Sequence, residues 1–167
     1  MINFASFRGI ITMISDFVTG QNGPNEGCFK IISVNNGNGA TVHFVVSPST
    51  YFVDHITVQV GDLITGYYDA DAPVPLIYPP QYQALVIVQD NPYQNVKVDY
   101  FNNQLISSDG LLQVNLSPYT QIVLTNSQSF SRSPANRNLI VLYGPSTKSI
   151  PAQTTPSTII VMCLSNP

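Results

Sequence analysis

The chain has 167 residues, 44% of them apolar, a net charge of −3 and only 9% charged residues. That apolar fraction excludes a disordered chain, and the length allows one domain or two small ones. The six basic residues, Arg8, Lys30, Lys97, Arg132, Arg137 and Lys148, are scattered, which excludes the clustered basic patch of a nucleic-acid binder and leaves no anchor for an anionic membrane.

In chain order, MINFASFRG lacks a charged start before a long apolar core, so no classical signal peptide is expected. No apolar run approaches the roughly 18 residues of a membrane-spanning helix. Strands are expected at 7–17, 28–34, 40–53, 58–68 and 82–89. The clearest is TVHFVV, where Val42, Phe44 and Val46 face one way and Thr41, His43 and Val45 the other. Residues 19–27 read as a Gly- and Asn-rich loop, and NNGNG (35–39) as a hairpin turn, because Asn and Gly accept positive φ cheaply. The proline-rich segment APVPLIYPPQY (72–82) reads as a stiff loop or sheet edge, or as a polyproline-like recognition segment. QDNPYQN (89–95) reads as a short linker. Strands then follow at 96–101, 104–108, 111–124, 138–144 and 157–164, with Asp109-Gly110 as a turn and Leu112, Val114 and Leu116 facing inward.

The second half repeats the first. SPST at 47 recurs as SPYT at 117, a shift of 70 (117 − 47). LITGYY at 63 recurs as LIVLYG at 139, a shift of 76 (139 − 63), which also relates Pro75 to Pro151 and Pro80 to Pro156. NSQSFSRSPANR (126–137) reads as an insertion forming a surface loop. The expected fold is all-β: two tandem Greek-key barrels of the OB type, 1–90 with an N-terminal arm and 91–167, related by duplication.

Chemistry is sparse. His43 is replaced by Gln113 in the second copy, His55 has no nucleophile motif beside it, and Asp69 and Asp71 lack the further ligands of a cation loop. No phosphate-cradling glycine loop or metal cluster is visible, so neither a catalytic residue nor a cofactor is expected. Cys28 and Cys163 lie in different modules and belong to no Cys-x-x-Cys pair. Buried thiols, an intermolecular bridge and an intrachain bridge all fit them. Tyr67, Tyr68, Tyr78, Tyr82, Tyr93 and Tyr100 cluster in sequence, a composition suited to protein contacts or to stacking on sugars.

FVVSPSTYFVDH, GYYDADAPVPLIYPPQY and KSIPAQTTP resemble the motifs of tandem OB-like, surface- or spore-associated proteins of endospore-forming Firmicutes, clostridia and bacilli. The resemblance spans about 7–163, with Lys148 where the group usually has Arg. It implies a spore or cell-surface role and carries over no catalytic residue. Some relatives resemble proteins with a further wall-associated domain, which these residues do not include.

The expected function is a non-enzymatic subunit that assembles head to tail into a surface fibre or layer. Its partners would be itself and wall or spore-surface components, with no nucleic acid and no membrane insertion. The interface candidates are Phe4, Phe7, Cys28, Tyr67, Tyr68, Tyr78, Tyr82 and Cys163, with the apolar arm 1–7 adding a strand to a neighbour's sheet. The alternative is a wall-carbohydrate or protein-binding module with a tyrosine-rich face. Location outside the cell or on the spore is expected without a classical leader, the alternative being the cytoplasm.

Overall fold

A computed structural model describes residues 2–18 and 23–164. Over these residues the protein is all-β, with thirteen strands, one 3-10 turn at Val53–His55 and no α-helix. The chain divides into two compact units, Ala5–Asp90 and Asn91–Pro167, and residues 2–4 group with the second. The expected first module, 1–90, therefore differs from the first unit in its opening residues. Part of the expected loop 19–27 lies outside the described residues.

The first unit holds β1 (Phe4–Asp16), β2 (Lys30–Asn35), β3 (Thr41–Val46), β4 (Tyr51–Phe52), β5 (Leu63–Asp69), β6 (Gln81–Gln83) and β7 (Val86–Gln89), in sheet order β4-β7-β5-β1-β2-β3-β6. β1, β2 and β3 form an antiparallel meander. The NNGNG turn joins β2 to β3, with Gly37 and Gly39 at φ 81° and 91°, where a Cβ would be strained. β3 then runs parallel to β6, and β4 parallel to β7. Hydrogen bonds from Ala84 N to Val45 O (3.0 Å) and from Tyr51 N to Leu85 O (3.0 Å) carry that pairing across both strand breaks. Residues 41–52 thus track 81–89 along their length, joining the two ends of the sheet order.

The expected strand 7–17 forms within β1, but three of the other expected strands are shortened or interrupted. The run 40–53 breaks at SPST: Ser47 N–H donates to Thr50 Oγ1 (3.0 Å), which itself donates to the Ala84 carbonyl (2.8 Å). The run 58–68 forms a strand only from Leu63, and 82–89 splits at 84–85. Val42, Phe44 and Val46 enter the core with Ile11, Ile32, Val34, Ile64 and Ile87. Val45, expected on the polar face, is also buried, at 2% exposure.

The second unit holds β8 (Asn95–Phe101), β9 (Leu112–Val114), β10 (Gln121–Leu124), β11 (Arg137–Tyr143), β12 (Ala152–Thr154) and β13 (Thr158–Met162). β10-β13-β11-β8 form one sheet and β12-β9 another. Parallel pairing of β9 with β12 and of β10 with β13 reproduces β3 with β6 and β4 with β7. SPYT repeats the SPST contacts: Ser117 N–H to Thr120 Oγ1 at 3.3 Å, and Thr120 Oγ1 to the Pro156 carbonyl at 2.8 Å. Phe101, Leu112, Val114, Leu139, Val141, Ile159 and Val161 fill the core.

These pairings correct the repeat register. Because His43 faces Gln81 and Gln113 faces Gln153, the proline segment is shifted by 72 (153 − 81). Pro79 therefore matches Pro151, and Ala84 matches Pro156. The peptide bonds before Pro79 and Pro151 are both cis. Ile64 faces Gln89 while Leu139 faces Val161, so β5 maps onto β11 with a shift of 75 (139 − 64). The 76-residue match is off by one, and in a strand one residue exchanges inside for outside. Leu63 is only half-buried, whereas Ile64 and Leu139 are both at 0% exposure.

The corrected register exposes a complementary exchange in the cores. Phe44 matches Val114 and Gly66 matches Val141. A Cβ on Gly66 would lie 2.5 Å from the Phe44 ring, so the ring occupies the volume that Val141 fills in the other copy. Two further expectations are corrected in the second unit. Leu116 is 46% exposed because β9 ends at Val114. Residues 104–108 make only isolated bridges. The insertion is a surface loop, as expected, and opens with a short hairpin: Leu124 N donates to Gln128 O (2.8 Å) and Phe130 N to Ile122 O (2.9 Å).

Candidate functional site

Two regions carry side chains beyond the duplicated scaffold. One is the β5–β6 connection of the first unit. There Leu76 is 101% exposed, Tyr78 79%, Ile77 53% and Val74 44%. Prolines 73, 75, 79 and 80 keep this segment out of a ladder, so its apolar side chains are held away from the core. Its counterpart in the second unit exposes Ile150.

The tyrosine candidates divide between surface and core. Tyr78 lies on the exposed loop. Tyr68 and Tyr82 stack on each other at 3.9 Å and 11°, Phe44 lies 6.2 Å from Tyr68, and both tyrosines pack against the first core. Burial, and then the adjacent Tyr82, raise the Tyr68 phenol above its ordinary range. Tyr67 is half-buried on β5. The faces of Tyr68 and Tyr82 are thus largely engaged with each other, and the structure does not gather the tyrosines into one open platform. Tyr143 matches Tyr68 in the second unit, where Thr154 and Val114 take the places of Tyr82 and Phe44.

Phe4 and Phe7 lie in β1, and Phe7 packs on the first core. Residues 4–7 of the expected donor arm form the start of β1; Met1 lies outside the described residues. Cys28 and Cys163 are free and exposed, which overturns the reading of buried thiols.

The second region was not legible in the sequence. Tyr100, Asn136, Arg137, Asn138, Met162, Cys163 and Leu164 line a cleft of about 400 Å³ within the second unit. Tyr100, Asn138 and Met162 are cross-strand neighbours on β8, β11 and β13. The insertion supplies the rest of the geometry. Arg137 lies over the Phe130 ring at 4.7 Å and donates from Nε to the Ser133 carbonyl (3.1 Å). Asn136 sits at φ 60°, a left-handed conformation that Asn tolerates. Asn138, 8% exposed, keeps a buried Oδ1 with no hydrogen-bond partner. An unpaired buried acceptor of this kind costs about 1–3 kcal/mol, and such costs often persist at functional sites. The signal available in the sequence was the insertion itself, present in one copy only.

Among the described residues, no group of three or more His, Cys, Asp or Glu is placed to hold a metal ion. No helix among them is long and apolar enough to cross a membrane. The His55 ring lies 5.4 Å from that of Tyr51, tilted by 32°, and Asp54 and His55 both have positive φ (63° and 52°), a strained turn that follows β4. Compared with protein-family models, curated proteins and solved structures, the chain gives no match.

Proposed function

We propose that the protein is a non-enzymatic structural subunit, made of two OB-type barrels, that assembles head to tail through unlike surfaces of its two units. The strand order of the first unit, with 41–52 parallel to 81–89, supports the barrel reading. The observation that carries the assembly reading is the exposed run Val74 to Tyr78, which contains no charged residue in a chain with 9% charge. Apolar side chains held rigid by flanking prolines lose little entropy on docking, and few charges need desolvating. The second unit presents different side chains at the matching loop, which favours a heterologous contact, and such a contact extends into a filament when its rotation does not close into a ring. Exposed Cys28 and Cys163 then link successive copies where the surroundings are oxidising. The motif resemblance favours a spore or cell-surface setting.

Negative-stain microscopy and sedimentation velocity of purified protein test this reading. Concentration-dependent polymers are expected, and they are lost when Leu76, Ile77 and Tyr78 are all changed to Ser. A monodisperse wild-type monomer at high concentration refutes it.

A further inference from the structure

We infer that the insertion unique to the second unit builds a binding site for a small organic carboxylate, with Arg137 as its anchor. Four observations meet here. The cleft, at about 400 Å³, falls in the size range of small-molecule sites, roughly 300–1,000 Å³. Arg137 is its only charged lining residue, and no ion pair involves Arg137 among the described residues. The guanidinium is already oriented, stacked on Phe130 and tied through Nε to the Ser133 carbonyl. Among the described residues its terminal nitrogens have no protein acceptor, and a planar fork of that kind matches a carboxylate. The remaining lining offers neutral hydrogen-bonding groups on Tyr100, Asn136 and Asn138, and an apolar wall from Met162 and Leu164.

This composition sets the ligand class. The carboxylate meets Arg137, hydroxyls meet the amides and the phenol, and a carbon skeleton lies on the apolar wall. The protein carries a net charge of −3, so no general positive field draws the anion in and recognition is local. The same chemistry occurs in a uronate unit of a polysaccharide and in a free hydroxy acid. The site uses none of the residues 74–78 but includes Cys163, so binding is measured on the reduced, unlinked protein, where it does not depend on assembly.

Titration calorimetry of the full chain, with amide chemical shifts as a second readout, tests the inference. The probes are D-glucuronate, D-glucose and L-lactate. Glucuronate is expected to bind and to shift the amides of Tyr100, Arg137, Asn138 and Met162, while glucose, which lacks the carboxylate, does not. Lactate binding as tightly as glucuronate identifies free hydroxy acids as the source; glucuronate binding alone identifies the uronate. Arg137→Gln is expected to weaken binding at least about tenfold, the loss typical of a charge-assisted hydrogen bond. Arg137→Lys retains part of it. Phe130→Leu, which keeps the charge but removes the stacking surface, weakens it less than Arg137→Gln. Equal binding of glucose and glucuronate, no binding of either acid, or unchanged affinity in a folded Arg137→Gln protein overturns the inference.

Discussion

The two units solve one packing problem with different side chains. Both close parallel pairs through a Ser-Pro-x-Thr turn whose threonine hydroxyl reaches a carbonyl on the partner strand. The first unit fills its centre with Phe44 against a bare glycine, the second with two valines, Val114 and Val141. The comparison teaches that the copies keep the backbone pairing, while Phe44 with Gly66 is exchanged for Val114 with Val141 as a compensating pair. The single-copy features lie outside that scaffold: the exposed apolar loop in one unit, the hairpin and cleft in the other.

The sharpest way to break this comparison is to transplant one solution into the other. Phe44→Val alone leaves a cavity and is expected to destabilise the first unit by about 2–3 kcal/mol. Gly66→Val alone clashes with the ring and costs about 1–3 kcal/mol or more. The double variant recreates the pair of the second unit and is expected to recover a large part of both losses. Urea denaturation of the four proteins gives the coupling energy. Strictly additive losses contradict the complementary exchange.

The turn threonines come next. Thr50→Val and Thr120→Val each remove one hydroxyl that both accepts and donates, so each is expected to cost about 1–2 kcal/mol. Hydrogen exchange resolved by residue locates the loss, in the first unit for Thr50 and in the second for Thr120. A loss in only one unit means the two turns are not equivalent.

A smaller effect separates the two hairpins. The first turn, at 35–40, is held by uncharged Asn side chains, with Gly37 N donating to Asn35 Oδ1 at 2.7 Å. The second is held by Asp109, which pairs with Lys97 and accepts from Ser107 Oγ at 2.6 Å. Burial acts to raise the Asp109 carboxyl, but the bonds from Lys97, Ser107 and the Leu111 amide outweigh it and hold it below the ordinary 3.8. A depressed carboxylate contributes stability above the unfolded value, and that contribution is lost as pH falls through the folded value. Asp109→Asn is therefore expected to cost under about 1 kcal/mol at pH 7, since the pair is partly exposed. The difference from wild type shrinks below the ordinary carboxylate range. A pH-independent difference in two-state urea titrations argues that the charge is not involved.

Much of this scaffold was legible. Alternation in TVHFVV, the two turn signals and the SPST/SPYT echo each rest on local chemistry, and each has its structural counterpart. The proline register was not legible, because a segment with prolines at 73, 75, 79 and 80 offers a match at several shifts. Only the parallel pairing of His43 with Gln81 selects among them. Leu63 and Leu139 matched by letter, but the core face belongs to Ile64, and identity carries no information about which face a residue takes. The cleft was hidden for another reason: Tyr100, Arg137 and Met162 meet only through the order of β8, β11 and β13. Of the named interface candidates, Tyr78 and the two cysteines are exposed, while Phe7, Tyr68 and Tyr82 are committed to packing.

The central claim is that the exposed 74–78 segment drives association of copies. Sedimentation velocity over a range of concentrations, comparing wild type with Leu76→Ser/Ile77→Ser/Tyr78→Ser, tests it most directly. The account predicts growing species for wild type and a single monomer for the variant. It also predicts unfolding free energies from urea titration alike within about 0.5 kcal/mol, as for surface changes. A wild type that stays monomeric throughout, or a triple variant that polymerises equally well, contradicts it.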